Sequence, residues 1–383
     1  MILKDCLEKI IDNRGRNPKY YDNEAYPVID NVMIKNNYHP NINEATRFID
    51  QDTHDNFLRG YLEPNIPIMT LVGGGIGNVS LSIDDKSVIV QNTIGFKTKP
   101  EVLDSIYLYY WFLYKYDELI QFNRGSGQPS IRKTDIENMN IELKDINYQR
   151  KVSKILSEID EKIELNNKIN NSLFDLGRTY FEDFISNCDE EVAIKDIADE
   201  VLDYTKNNND KVKLLNSSDI TENIFPKVEF IDNKDLKGHF KKRFKKYDIL
   251  YSQIRPRNHH YGYVLLDDSE NYLASTRFMV VRNKKEKVSS SLLYYYLTSK
   301  NAVEDFTTKT ELRSGTFPQG NYEDLSSYVI RYSSNQELIT KILDSILETI
   351  NNNNNENEKL VELRDILLPK LMNGEIDLDN IEI

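Results

Sequence analysis

The stretch QRKVSKILSEI at residues 149–159 returns later in the chain as QELITKILDSI at residues 336–346. Gln, Lys, Ile, Leu and Ile stand at the same places in both copies, and one constant spacing carries the apolar match on to Phe184 and Leu371. A repeat of this length determines the architecture before any local motif does. The chain is therefore interpreted as two copies of one plan, each closed by a long amphipathic helix.

Before its long helix, each copy is predicted to form short strands, an aromatic-rich helix, a glycine-containing loop and a further strand. The fold class that follows is α+β: two similar globular domains, joined and spaced by two long antiparallel, coiled-coil-like helices, in a pseudo-twofold internal repeat. The runs behind this prediction are 67–72, 87–90 and 101–120 in the first copy, and 248–251, 277–281 and 289–306 in the second.

The long helices are predicted from apolar residues at steps of three and four, which place an apolar stripe along one side. No proline interrupts 147–186, whereas Pro369 should bend or end the second helix and Gly374 should stop it. A helix of about 38 residues is about 57 Å long. The stripes consist of Val152, Ile155, Ile159, Ile163, Ile169, Leu173, Leu176, Tyr180 and Phe184, then Leu338, Ile342, Ile346, Ile350, Leu360, Leu363, Leu367 and Leu371.

Asparagines interrupt both stripes at their centres. They are Asn166 and Asn167 in the first helix, and the run 351–355, which includes Asn353 and Asn354, in the second. In an antiparallel pair the two centres meet, and a buried asparagine pair would determine the register at a cost in stability. The alternative is that 351–355 forms a loop that splits the second helix, because Asn is a mediocre helix former.

Composition limits the classes of protein that this chain can belong to. Its 383 residues suffice for two domains, and the formal net charge of −13 argues against a protein that coats DNA without selectivity. Cys6 and Cys188 lie far apart, which is typical of reduced thiols and excludes a zinc site on ligand count. With no signal-peptide or membrane-spanning pattern, we expect a cytoplasmic protein.

Catalytic motifs are not found. The glycines at 73–77 do not satisfy G-x-G-x-x-G, and a strand-to-strand hairpin loop is the favoured interpretation. There is no G-x-x-x-x-G-K-[ST] segment for ATP and no Asn-Pro-Pro-Tyr segment of the amino-methyltransferase kind. His259 and His260 form the only histidine cluster, without further metal ligands beside it. We therefore expect neither a metal site nor an enzyme.

The order and duplication of several segments resemble the specificity subunits of Type I restriction-modification systems. The two copies differ at one informative place, where the first has the glycines at 73–77 and the second has Ile254, Arg255, Pro256 and Arg257. Two such domains are expected to read different sequences. The resemblance covers nearly the whole chain and is carried by residues 125–132 with their continuation to 152, by 248–256, by 313–316 with their continuation to 336, and by 368–376.

This resemblance implies a non-catalytic subunit that directs a complex to a bipartite, asymmetric double-stranded DNA site for adenine methylation and restriction. Two methyltransferase subunits and the restriction subunits would be its partners, and they would bind S-adenosylmethionine, ATP and Mg²⁺. The helices would be long enough to span about 17 base pairs. The domains expected are 1–146 and 187–334 for target recognition, 147–186 and 335–374 as spacer helices, and 375–383 as a tail.

Candidate DNA contacts in the second copy follow from a basic run interleaved with aromatic residues. Arg255, Arg257 and Asn258 are predicted to read base edges, because arginine and asparagine can make bidentate contacts to guanine and adenine. Lysines suit phosphate contacts, which position a protein without reading sequence. The alternative is a solvated charged face. The remaining candidates are Lys237, Lys241, Lys242, Arg243, Lys245, Lys246, His259 and Arg313.

In the first copy the candidates form two groups, one near the start of the chain and one around the loop that contains Gly125 and Gly127, whose glycines let backbone N–H groups approach a phosphate closely. The alternative is a tight turn between the aromatic helix and the next strand. These candidates are Arg14, Arg16, Lys19, Arg124, Gln128, Arg132 and Lys133. For the whole chain, two other functions remain: a stand-alone tandem DNA-binding regulator, and a specificity-like subunit of another phage-defence system.

Overall fold

The chain folds into two compact units, and each long helix is divided between them. Unit 1 comprises Met1–Glu164 with Lys359–Ile383, and unit 2 comprises Leu165–Glu358. The domains thus do not follow one another linearly along the chain, because each takes one half of each long helix. The structure, a computed structural model, describes residues 1–15, 17–125, 127–236, 238–284, 287–313 and 319–378.

Unit 1 is built on a four-stranded antiparallel sheet with the order β1-β6-β4-β5. Ser87–Val90, expected as a strand, contributes only an isolated bridge from Val88 to Val28, so that prediction was wrong. The elements in chain order are β1 Leu7–Ile11, β2 Tyr26–Pro27, β3 Phe48–Ile49, α1 Gln51–Phe57, β4 Pro67–Thr70, β5 Val79–Leu81, β6 Thr93–Thr98, α2 Ser105–Tyr114, α3 Tyr116–Gln121, α4 Lys133–Glu137 and α5 Ile146–Ser186.

Unit 2 repeats this sheet with the order β8-β15-β12-β13 and adds a second sheet, β10-β9-β14-β11. Its elements are β7 Glu190–Ala193, α6 Ile194–Ile197, β8 Ala198–Glu200, β9 Lys211–Leu215, β10 Ile231–Asp232, β11 Phe240–Lys242, β12 Ile249–Ser252, β13 Tyr261–Tyr263, β14 Tyr272–Ser275, β15 Phe278–Asn283, α7 Ser290–Leu297, α8 Lys300–Glu311, α9 Tyr322–Ser326, β16 Val329–Tyr332 and α10 Glu337–Asn373.

The two four-stranded sheets correspond strand for strand, and we call each of them the frame of its unit. β1, β6, β4 and β5 take the places of β8, β15, β12 and β13, with every neighbouring pair antiparallel. The fold class predicted from the repeat is therefore confirmed. The second sheet of unit 2 has no counterpart of its size among the described residues of unit 1, where only the two-stranded ribbon β2-β3 stands beside the frame.

One glutamine anchors the start of the aromatic helix in each unit. The side-chain oxygen of Gln149 accepts a 3.0 Å hydrogen bond from the backbone N–H of Asp104, the N-cap residue of α2. Gln336 does the same at 3.0 Å for Ser289, the N-cap residue of α7. Such caps satisfy groups that the first helical turn leaves unpaired. The duplicated glutamine of the opening motif thus has the same packing role in both copies.

Both long helices are continuous in the structure. α5 has 41 residues and α10 has 37. α10 runs through 351–355 without a break, and through Pro369 as well, to end at Asn373, beyond which Gly374 has a φ of 73°. The proline did not end the helix, whereas the glycine stands where the stop was expected. Left-handed backbone at this position is the usual helix termination and favours glycine.

The buried face of α5 in unit 2 departs from the predicted stripe between Ile169 and Tyr180, whereas Phe184, the last residue of that stripe, packs against the core as predicted. Phe174 and Phe181 pack into the core, whereas Ile169, Leu176 and Tyr180, expected on that face, are exposed. The packed row follows steps of four and three from Asn170 onward, so its neighbours one position earlier face outward. Leu338 and Leu363 of the α10 stripe are also exposed.

The asparagines of the two helices form a hydrogen-bonded network inside unit 2. Asn166 donates to Asn357 at 2.8 Å, and Asn353 donates to Asn170 at 2.7 Å. Asn357 in turn donates to Asn167, and Asn170 donates to Asn354, both at 2.9 Å. The repeat spacing relates Asn166 to Asn353 and Asn170 to Asn357, so the first two hydrogen bonds are equivalent to each other, and the last two are equivalent in the same way. The network is therefore symmetric with respect to the internal repeat. Asn166 also donates to Glu356 at 2.7 Å, a contact without a counterpart in the repeat.

In unit 1 the helices are joined by a buried ion pair. Arg364 Nη1 of α10 lies 2.8 Å from Asp160 Oδ1 of α5, and the Tyr110 hydroxyl donates to Asp160 Oδ2 at 2.7 Å. The Asp160 side chain is only 3% exposed. Burial raises the pKa of Asp160 above its usual range even beside Arg364. The carboxylate therefore depends on its partner, because an ionised group at this depth is costly when it is unpaired.

Candidate nucleic-acid interface

Two loops lie side by side at one end of the frame in unit 1. The hairpin loop 71–78 joins β4 to β5, and residues 122–125 and 127–131 lie between α3 and α4. Gly73 donates its N–H to the Pro129 carbonyl and Ile131 donates to the Leu71 carbonyl, both at 2.9 Å. Gly73, Gly75 and Gly77 all have φ between 76° and 93°, a region that favours glycine. The hairpin loop therefore exposes backbone rather than large side chains.

Unit 2 has the same pairing of loops. The hairpin loop 253–260 joins β12 to β13, and the Gly320 N–H donates to the Gln253 carbonyl at 2.9 Å, as Ile131 does to Leu71 in unit 1. We call these paired loops the loop edge of each unit. It consists of 71–78 with 122–125 and 127–131 in unit 1, and of 253–260 with 312–313 and 319–320 in unit 2.

The hairpin loop of unit 2 presents polar side chains from a backbone under local strain. Arg255 and His259 flank the 3₁₀ turn Pro256–Asn258 with φ of 49° and 54°, a left-handed conformation that costs energy in residues other than glycine. Arg257 is 73% exposed and lies 3.5 Å from Glu311, a weak surface pair. Asn258 is exposed, and the His259 ring contacts Glu222 at 2.8 Å. Such strain is typical of functional loops.

An arginine–aspartate pair is duplicated at the loop edges. Arg124 Nη2 lies 2.9 Å from Asp135 of α4, and Arg313 Nη2 lies 2.7 Å from Asp324 of α9. The guanidinium groups remain about half exposed, while both carboxylates are largely covered. Each aspartate therefore orients an arginine that still has N–H groups directed outward. The equal spacing from arginine to aspartate in both copies was a signal in the sequence that pattern reading missed.

Other basic residues of unit 1 gather around one carboxylate. Asp12 Oδ2 is 2.8 Å from Arg14 and 3.6 Å from Lys133. Burial would raise the pKa of Asp12, but the hydrogen bonds and charge of Arg14 hold that pKa below its usual value. Lys19 is exposed and its ammonium lies 4.5 Å from the centre of the Tyr21 ring. Gln128 and Arg132 are exposed.

The lysine run of unit 2 does not join its arginine loop. Residues 245–247 precede β12 and the hairpin loop 253–260 follows it, so the two lie at opposite ends of a four-residue strand. Lys241 and Lys245 are exposed, Lys246 pairs with Asp267 at 2.6 Å, and Arg243 is partly buried. Neighbours in sequence are thus separated because a strand intervenes.

Lys242 is a correction. Its side chain is 3% exposed, and its ammonium lies 2.9 Å from Glu200 and 2.6 Å from the Phe278 carbonyl. Alternation along β11 directs Lys242 inward and its neighbour Lys241 outward. Lys242 therefore cannot contact DNA and instead attaches the second sheet of unit 2 to the frame. Arg16, Lys237 and residues 314–316 lie outside the described residues.

The described part of the chain contains no cluster of three or more His, Cys, Asp or Glu side chains placed to hold a metal ion. Across the same residues, no helix combines the length and the apolar character that crossing a membrane requires.

Comparisons with known proteins agree with the duplication. The family described as Type I restriction modification DNA specificity domain matches residues 2–174 and again 190–362. The chain is 40% identical over 135 residues to the HindI specificity subunit of Haemophilus influenzae, which is 35% of this chain and 29% of that protein. It is 29% identical over 96 residues to the MjaVIII specificity subunit of Methanocaldococcus jannaschii, or 25% and 22% of the two chains.

The matches to these two relatives thus span less than a third of the relatives' own length. A solved structure, the Type I restriction-modification S subunit from M. genitalium, resembles the chain over 97% of its length and 95% of that structure. The TM-score is 0.60 at 14% sequence identity, which is a likeness of fold.

Proposed function

Because the chain belongs to the Type I restriction modification DNA specificity family, we propose that it is the DNA-recognition subunit of a Type I restriction-modification complex. Its target would be a bipartite, asymmetric site in which each unit reads one half. The observation that carries this proposal is the duplicated frame with two different loop edges. A common frame provides the same docking geometry twice, while different loops provide different base contacts.

The loop edges would meet the DNA. In unit 2, Arg255, Arg257 and Asn258 would contact base edges, because their side chains lie on the hairpin loop and suit bidentate contacts to guanine and adenine. In unit 1 the glycine-containing loop edge, with the hairpin loop 71–78, would bring backbone N–H groups close to a phosphate. The other candidates would contact the sugar-phosphate backbone: Arg14, Lys19, Arg124, Gln128, Arg132 and Lys133 in unit 1, and Lys241, Arg243, Lys245, Lys246, His259 and Arg313 in unit 2.

The chain would have no catalytic role of its own. Two methyltransferase subunits and the restriction subunits would perform adenine methylation and cleavage, and they would bind S-adenosylmethionine, ATP and Mg²⁺. The methyltransferase subunits would cover exposed apolar residues of the long helices, such as Ile169, Leu176 and Tyr180. Apolar side chains grouped on a surface support an interaction site.

Mapping of methylated adenines tests this function directly. A host that expresses the chain together with its methyltransferase partner should carry N6-methyladenine at one bipartite, asymmetric sequence with an unread spacer. A host with the partner alone is the control and should lack that mark. A contiguous or palindromic methylated sequence would contradict the proposal, as would tight, specific DNA binding by the isolated chain without any partner.

A further inference from the structure

The contact between α5 and α10 is symmetric at its centre and asymmetric farther along. The asparagine network in unit 2 is symmetric, because the repeat spacing maps each of its asparagines onto another asparagine of the network. Two copies of α5 could therefore form almost the same hydrogen bonds as α5 and α10. Asn170 would then take the role of its repeat mate Asn357, and Asn166 that of Asn353. The centre of the helix pair therefore does not by itself distinguish the other half of the chain from a second copy of the same half.

The asymmetric position lies in the ion pair of unit 1. The repeat spacing relates Asp160 to Leu347 and Arg364 to Gly177. In unit 2 Leu347 is buried in the core, and the Tyr295 hydroxyl occupies the space that a side chain at Gly177 would need, 2.1 Å from an added Cβ. A charged pair in one unit thus corresponds to a leucine and a glycine in the other.

A second copy of α5 would meet this difference. In an α5–α5 pair, Gly177 of the second copy would stand where Arg364 stands, so Asp160 would be buried without a counter-charge. This would occur twice in a symmetric pair. A buried ion pair that loses one partner is strongly destabilised, by about 100-fold or more in an equilibrium constant. Gly177 offers no alternative partner for the carboxylate.

We propose that the interface between α5 and α10 accepts the other half of the same chain and rejects a second copy of α5, with Asp160 and Arg364 as the selecting pair. The asparagine network sets the register of the two helices, and the ion pair decides which helix is admitted. This inference concerns assembly of the chain and stands independently of the DNA sequence that is read.

The experiment uses the full chain with a protease site inserted at Asn187, an exposed residue just beyond α5. Cleavage of the folded chain leaves two fragments, and native mass spectrometry after dilution and reconcentration separates unlike pairs from pairs of the first fragment. The unaltered chain should yield unlike pairs almost exclusively. The variant Asp160→Leu/Arg364→Ala imitates unit 2 and should raise the proportion of like pairs about 100-fold.

Two further variants keep the test decisive. Asp160→Asn preserves the shape of the side chain and removes the charge, so it should raise the like pairs about tenfold, and it remains available if the double variant does not fold. Asp160→Arg/Arg364→Asp is the matched control, since it retains a charge pair and should stay selective. The melting temperature of each uncut chain checks its folding. Equal proportions of like pairs in the unaltered chain and in the uncharged variants would overturn the proposal.

Discussion

In unit 1 the hairpin loop of the loop edge contains four glycines within residues 73–77, whereas the equivalent loop of unit 2 carries Arg255, Arg257 and His259. Both loops leave the same strand of the frame and receive the same backbone hydrogen bond from the neighbouring loop, at 2.9 Å. Duplication thus preserved the backbone pairing, which holds the loops in place. The side chains, which would select a DNA sequence, diverged.

The largest expected effect concerns the second sheet of unit 2, β10-β9-β14-β11. Glu200→Ala removes the partner of buried Lys242 and should lower the free energy of unfolding by about 3 kcal/mol, because an unpaired buried ammonium is costly. Glu191→Ala is the control. It breaks an exposed 3.8 Å contact with Arg331 and should cost less than about 1 kcal/mol. Urea denaturation measures both, and equal losses would mean that Lys242 does not attach the sheet.

A smaller effect concerns Gly320, which donates the same backbone hydrogen bond in unit 2 as Ile131 does in unit 1 but has no side chain. A Cβ at Gly320 would lie 2.2 Å from Cζ of buried Phe306, so Gly320→Ala should destabilise the protein by about 1–3 kcal/mol. Gly74→Ala is a control in the other loop edge, where an added Cβ meets no atom within 4 Å. Thermal unfolding compares the two. A neutral Gly320→Ala would show that the close packing of unit 2 at this point is not required.

Base recognition should be separable between the units. Arg257→Ala should reduce discrimination at one base pair of one half-site by about 1–3 kcal/mol and leave the other half-site unchanged. Competition binding with single-base variants of the target, using the assembled complex, measures the change. Arg331→Ala, an exposed arginine on β16, is the control. Equal weakening at both half-sites would contradict the assignment of one half-site to each unit.

The smallest effect tests the lysine turn at the far end of β12. If Lys245 neutralises one phosphate, Lys245→Ala should weaken binding to all sequences alike and reduce the slope of log affinity against log salt by about 0.9. Lys341→Ala, an exposed lysine on α10, should leave the slope unchanged. Binding titrations at several salt concentrations provide the slopes. An unaltered slope for Lys245→Ala would remove this turn from the DNA-contacting surface.

The most predictable residues were those that the repeat spacing relates to a residue of the same type in the other copy. The spacing that matches Gln149 to Gln336 also relates Asn166 to Asn353, and both asparagines lie in the network of unit 2. The same spacing could have identified Asn170 and Asn357, which pattern reading missed. It could not have identified Lys242 as buried, because that depends on which side of the short strand β11 faces inward, and no sheet of this size corresponds to it among the described residues of unit 1.

The duplication and the two long helices could be predicted from the sequence, because apolar periodicity and repeat spacing are properties of the chain. Tertiary structure decided the rest. α10 continues through 351–355 although Asn is a weak helix former, since hydrogen bonds from Asn353 and Asn357 to α5 stabilise that conformation. The lysine turn and the arginine loop are close in sequence but lie at opposite ends of β12. Asp160 and Arg364 are distant in sequence and come together only because α5 and α10 pack against each other.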